Sequence, residues 1–221
     1  PVTIVARVMP NGDWSAPAVA QLQVDGPNSF PLRIVELMYH PAVNNELEYM
    51  ELLNIGDVAI DLENVQITDF SAGGYTFASQ VLDAGARMVV PKNVAEFQAR
   101  YPTVTNATST AYSGSLSNGG ETVTLLDPLG NMIQSFTYDD EAGWPTEPDE
   151  GGPSLEYVGP LDAREDPLNG APADPFDDPT NWRASTLSGG SPGADGTVME
   201  DADFDSDGDV DGDDFLAWQT G

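Results

Sequence analysis

The 221-residue sequence predicts a mainly β fold, two sheets packed as a sandwich with one short helix, followed by a C-terminal segment of different chemistry. Three observations carry this. Apolar residues recur at a spacing of two over short runs, turn residues separate those runs, and only one stretch has both a helix start and a helix stop. Many short strands with frequent turns and one helix favour two packed sheets over any helical layer.

The organising stretch is residues 48–70, EYMELLNIGDVAIDLENVQITDF. Met50 and Leu52 share a face in its first extended run; Ile60 and Leu62, then Val65 and Ile67, do so in the second. Between them Asn54, Ile55, Gly56 and Asp57 form a turn containing residue types that accept left-handed backbone angles. The remaining strands read as additions to this pair.

Taken in order, residues 2–8 and 18–24 are two strands around the Asn11-Gly12 turn signal. Such a hairpin is marginal alone and needs a sheet to join. Residues 25–31, DGPNSFP, have linker composition. Strands follow at 32–39, in the central pair, and at 74–78, 87–90, 122–126 and 132–138. Turn signals at 83–85, 117–120 and 127–131 divide them. The helix begins at Asn93, whose side chain can accept from first-turn amides. Glu96 stands three residues on as a capping-box partner, and Pro102 ends the segment after Tyr101. Val94 and Phe97 would anchor it to the sandwich. From Asp139 the pattern gives way to Pro, Gly and acid. Trp144, Leu155, Tyr157 and Trp182 interrupt it as pins for a long loop. Residues 189–197, GGSPGADGT, read as a linker, and the domain boundary falls there.

Composition narrows the function classes. There are 37 acidic residues against 7 basic ones, and 23 of the acids lie from Asp139 onward. A net charge of -30 repels phosphate backbones and anionic membrane surfaces, which sets nucleic acid aside unless cations intervene. With no cysteine there are no disulfides. No apolar run approaches a membrane span, and no signal peptide is present. The sequence starts inside a strand-like run and reads as an internal piece of a larger protein.

Several stretches resemble known families. Residues 5–24, VARVMPNGDWSAPAVAQLQV, resemble the last two strands of the fibronectin-like modules that precede other domains in large secreted bacterial proteins. This makes 1–25 the terminal hairpin of a preceding module. IVELMYHP at 34–41, EYMELLNIG at 48–56, IDLENVQITD at 60–69, YTF at 75–77 and LDAGARMVV at 82–90 resemble bacterial lamin-tail domains. So do LSNGGETVTLLDPLGNMIQSFTY at 116–138, Trp144-Pro145, GPSLE at 152–156, Asn181-Trp182 and SPG at 191–193. The resemblance implies an immunoglobulin-like β-sandwich over 32–193, a linker at 194–202, and a non-catalytic module of a secreted or cell-surface protein. The family has no shared catalytic residues to carry over.

Residues 203–214 read DFDSDGDVDGDD. With Asp203 as position 1, Asp205, Asp207, Asp211 and Asp214 occupy positions 3, 5, 9 and 12 of a calcium loop. Gly208 stands at the sharp turn, Val210 points away from the metal, and Asp209 offers its carbonyl at position 7. Calcium takes six to eight hard oxygens at about 2.4 Å, which is what alternate inward side chains on a tightly turning loop supply. Asp203, Asp205 and Asp207 would bind directly, Asp211 through water, and Asp214 through both oxygens. Asp214 in place of the usual Glu, the lack of an entering helix and the following FLAW at 215–218 resemble a dockerin type I repeat. That family carries two repeats where this sequence has one, which puts docking to a cohesin in question but not calcium as the expected ligand; a cohesin-like protein or an extracellular polymer is the candidate partner. The bland reading, a solvated acidic tail, does not account for Gly208 and Val210 at their required places.

Other signals are set aside. Residues 189–193 match G-x-S-x-G but have neither the strand before nor the helix after that a nucleophile elbow requires. His40, the only histidine, sits at a strand end before Pro41 and reads as structural or solvent-facing. The acids at 139–141 and 177–178 could form a glycosidase pair but read as solvated loops. Tyr112, Trp144, Tyr157 and Trp182 could form a sugar-stacking platform but read as core and loop anchors. The sequon at Asn106 reads as silent in a bacterial protein. Two further roles stay open: the accessory C-terminal region of a secreted polysaccharide-degrading enzyme whose catalytic domain lies upstream, and a spacer.

Overall fold

A computed structural model describes residues 2–9, 15, 18–22, 30–71, 73–141, 143–149, 151–161 and 175–196. The N-terminal hairpin is β1 (Val2–Ala6) and β2 (Ala18–Leu22), antiparallel with Val2 opposite Leu22. Its turn at Asn11 lies outside the described residues.

The body is two antiparallel sheets. β3 (Leu32–Met38), β4 (Tyr49–Asn54), β9 (Arg87–Pro91), β12 (Leu155–Tyr157) and β13 (Trp182–Ala184) form one, in the order β13-β12-β3-β4-β9. β6 (Gln66–Thr68), β7 (Tyr75–Thr76), β10 (Glu121–Leu126) and β11 (Met132–Tyr138) form the other, in the order β11-β10-β6-β7. A two-residue ribbon, β5 (Ile60–Asp61) with β8 (Val81–Leu82), stands beside them. This is the mainly β, immunoglobulin-like sandwich that the sequence predicts.

The two runs of the organising stretch do not pair with each other. β4 lies between β3 and β9, while the second run continues through β5 into β6 of the opposite sheet. The stretch is the crossover that makes the sandwich. Its apolar alternation is nevertheless right: Met50, Leu52, Leu62, Val65 and Ile67 are fully buried in the core between the sheets. They meet Ile34 and Leu37 of β3, Val123 and Leu125 of β10, and Phe136 of β11. Burial of each such side chain contributes roughly 1.5–3 kcal/mol.

The turn after β4 is also built differently from expectation. Neither Asn54 nor Gly56 has positive φ; among the described residues the non-glycine positions that do are Asn64 and Asp69, flanking β6. Asn54 is instead buried, and its amide nitrogen donates to the carbonyls of Val58, Leu82 and Asp83. Its side-chain oxygen accepts from Gly56 N–H.

The helix α1 (Val94–Arg100) starts as predicted, with Asn93 Oδ1 accepting from the N–H groups of Ala95 and Glu96. Asn93 donates in turn to Glu46, tying the helix start to the loop before β4. Phe97 packs with Met38, Tyr49 and Val89 on the outer face of the five-stranded sheet, and Val94 is half-buried. The predicted loop pins are buried too. The Tyr157 and Phe176 rings stack at 3.9 Å, and Trp182 lies 5.1 Å from Phe136 and 5.9 Å from Trp144. These rings pack against one another, in the anchoring role.

Candidate functional site

Alternation along the strands of the five-stranded sheet puts apolar residues inward and leaves an outer face that is unusually polar for its burial. One row across it reads Arg183, Glu156, Glu36, Glu51, Val89, from β13 to β9, each residue directly opposite the next. Three carboxylates thus stand side by side at exposures of 5%, 2% and 0%. Like charges opposed on neighbouring strands repel, and burial penalises each charge further.

The row is relieved at its ends. Arg183 Nε donates to Glu156 at 2.9 Å, and Arg87 donates to Glu51 at 2.6 Å. Glu36, in the middle, has only neutral partners: Tyr49 Oη at 2.6 Å, Ser154 Oγ at 2.6 Å and Ser191 N–H at 2.9 Å all donate to its Oε1. Burial pushes Glu36 above the ordinary carboxylate range against these donors, with the Glu156 charge adding to the rise. Burial, then Glu36 itself, pushes Glu51 up to about 8, with Arg87 pulling it back. Burial and Glu36 likewise hold the Tyr49 hydroxyl in its neutral form.

What covers the row is the segment expected to be a linker. Residues 189–196 run along the outer face as a strap: Gly189 C=O accepts from Tyr49 and Tyr101, Ser191 Oγ donates to Glu156, Gly193 N–H donates to Glu51, and Gly196 C=O accepts from Arg183. Its glycines are there for close approach. At Gly190, φ is +79° and a Cβ would fall 2.0 Å from Tyr49 Oη. Ser191 of the G-x-S-x-G match is therefore a donor to two glutamates, with no histidine among its hydrogen-bond partners.

A second buried acid, Glu48, accepts from Lys92 Nζ at 2.7 Å, Tyr112 Oη at 2.9 Å and Leu116 N–H at 2.8 Å, fixing the loop after α1. His40 Nδ1 lies 3.0 Å from Asp149, joining the end of β3 to the loop before β12, which is the structural role expected of it. The Tyr39 hydroxyl is buried without a hydrogen-bond partner. Asp177, one of the discounted acids, accepts from Thr137 N–H at the β11 edge. An open depression of about 450 Å³ lies over Leu53, Asn54, Ile55, Gly56, Gly85 and Leu161.

The predicted calcium ligands Asp203, Asp205, Asp207, Asp209, Asp211 and Asp214 all lie outside the described residues. Among the described residues no group of three acidic, histidine or cysteine side chains could hold a metal ion, and no helix is long and apolar enough to cross a membrane. The arrangement of buried glutamates is one of internal acceptors: their oxygens are spent on bracing loops against the sheet. Spacing of two put Met50 and Leu52 on one face, but only the register of β12 with β3 and of β3 with β4 aligns Glu156, Glu36 and Glu51.

This sandwich, with its sheet-spanning acidic row and strapped outer face, defines an immunoglobulin-like module. The lamin tail domain family model matches residues 27–140, more than half of the 221-residue chain, and the chain belongs to that family. No curated protein matches the chain.

Proposed function

We propose that this chain is a non-catalytic binding module of a secreted or cell-surface protein, and that residues 203–214 bind one calcium ion. The observation that carries the calcium reading is the spacing of DFDSDGDVDGDD: hard oxygen donors at the ligand positions, glycine at the sharp turn and an apolar residue at position 8. That donor set, all carboxylate and carbonyl oxygen, suits calcium and not a softer metal. The non-catalytic reading is supported by the burial of Glu36, Glu48, Glu51 and Glu156, whose oxygens face internal donors and not a cleft. Without metal the crowded carboxylates of the loop repel, so calcium binding and local folding are one event. A cohesin-like protein or an extracellular polymer is the partner class this implies.

The test is a calorimetric titration of calcium into metal-stripped full chain at about 0.15 M salt, where diffuse ion attraction is screened. Saturation near one ion per chain, with magnesium competing poorly, is the expected result. Asp203→Ala and Asp214→Ala should each weaken binding by more than Asp213→Ala, because Asp213 is at a non-ligand position. A shallow isotherm without stoichiometry, or equal effects from all three variants, would reduce the segment to an acidic tail.

The resemblance of residues 203–218 to a dockerin repeat favours a second reading, an accessory region of a larger secreted polysaccharide-degrading enzyme. A catalytic domain encoded ahead of residue 1 would select it; further sandwich repeats there would select the binding module.

A further inference from the structure

We infer that the strap over the five-stranded sheet is a proton-coupled clasp: residues 189–196 close over a protonated Glu36, and loss of that proton lifts them. The inference goes beyond the calcium reading and does not depend on it.

Charge counting along the row is the first ground. It holds three carboxylates, Glu156, Glu36 and Glu51, against two guanidiniums, Arg183 and Arg87. Each guanidinium is committed to an outer carboxylate, so one buried negative charge is left over, and it falls on Glu36. An uncompensated buried charge is far costlier than a neutral acid, and the group takes up a proton instead.

The remaining charged and titratable groups around the strap do not supply a missing cation. Arg33, on the same outer face of β3, spends Nη1 on the carbonyls of Phe30 and Leu32. Arg100 sits over the Tyr101 ring at 5.2 Å, near Gly189. Tyr49 and Tyr101 are neutral hydroxyl donors, and Asp195 on the strap is an acid, not a cation.

The second ground is that the strap creates the burial. Ser191 donates its N–H to Glu36 and its hydroxyl to Glu156, Gly193 donates to Glu51, and Gly190 and Pro192 of the strap are themselves buried. Lifting the strap would hydrate Glu36 and Glu51 and return both toward ordinary acidity. The closed state therefore binds more protons than the open one, and opening becomes easier as pH rises. Closure is fully favoured below the ordinary carboxylate range and is lost as pH rises through the elevated range of the buried pair. Over that interval the opening constant rises about tenfold per pH unit.

Amide hydrogen exchange on the full chain, corrected for intrinsic rates, reads this at Ser191 and Gly193. Their protection factors are expected to fall about tenfold per pH unit as pH rises from the ordinary carboxylate range toward 8, where burial places Glu51, and to fall less steeply in Glu36→Gln, which fixes the neutral form at that position. Flat protection in the wild type, or the same slope in both proteins, would overturn the clasp. Should Glu36→Gln fail to fold, the carboxyl carbon resonance of Glu36 in the wild-type chain decides. A titration midpoint raised above the ordinary carboxylate range supports the inference, and a midpoint within that range overturns it.

Discussion

Single side chains do much of the joining between segments distant in sequence. Gln134, on β11, accepts from Ile34 N–H at 2.7 Å and returns a bond to Ile34 C=O at 3.2 Å. Ile34 lies at the bulge in β3, where the ladder shifts register, and the glutamine replaces the partner strand there across the sandwich. Asn54 does the same at the molecule's end, holding three carbonyls and one N–H. Asn54→Ala should destabilise the sandwich by about 2 kcal/mol, because the buried Leu82 carbonyl and the part-buried carbonyls of Val58 and Asp83 lose their side-chain donor. Asn54→Asp should cost more at neutral pH although it keeps the bond from Gly56, since a carboxylate would face carbonyl oxygens. Denaturant unfolding of the three proteins checks both the size and the order. An aspartate variant as stable as wild type would mean that the three carbonyl contacts carry no weight.

Among the elements, the strap and the β8-β9 turn separate two uses of glycine. Gly190 has φ +79° and no room for a Cβ, whereas Gly85 has φ +71° and nothing within 4 Å of where a Cβ would lie. Gly85→Ala should cost only the left-handed strain of about 1–2 kcal/mol. Gly190→Ala should add the clash with Tyr49 and Glu36 and free the strap, seen as new protease cleavage between residues 187 and 196 while the sandwich still unfolds cooperatively. Absence of that cleavage would show that the strap can shift without detaching.

Lys92 offers a comparable test on the loop after α1. Lys92→Met leaves Glu48 buried with only neutral donors and should cost about 3 kcal/mol, and much less in a Glu48→Gln background. These elements also mark how far the sequence could be read. Periodicity placed β3, β4, β9, β10 and β11 within a residue or two, and the Asn93 cap placed α1, because both signals are local. The strap was hidden because close packing under a sheet and free flexibility call for the same residues, Gly, Ser and Pro. The crossover after β4 was hidden because a spacing of two shows which face is apolar but not which strand lies alongside. The acidic row needs Glu36, Glu51 and Glu156 brought together over 120 residues of chain, and no local pattern announces that.

At the scale of the whole molecule the dominant quantity is charge. With 37 acids and 7 bases, and Arg33, Arg87, Lys92 and Arg183 already bound to internal acceptors, few cations remain to offset the surface. Self-repulsion at a net charge of -30 acts against the compact state and weakens as ions screen it, over a Debye length of about 10 Å at 0.1 M salt. The buried ion pairs should be little affected, because solvent ions do not reach between Lys92 and Glu48 or Arg87 and Glu51. Raising sodium chloride from 10 to 150 mM, ~0.01 to ~0.15 M in the screening range, should therefore raise the unfolding midpoint of the sandwich. Magnesium chloride at matched ionic strength should do the same to a similar degree, since no cluster of three metal-binding side chains occurs among the described residues. Calcium is the discriminating ion. If residues 203–214 are its site, micromolar calcium at constant ionic strength should order the tail, seen as new protected amides there, while leaving the sandwich midpoint where sodium chloride put it. A sandwich midpoint that climbs with micromolar calcium would place a calcium-dependent contact on the sandwich itself and would break the separation of tail from module.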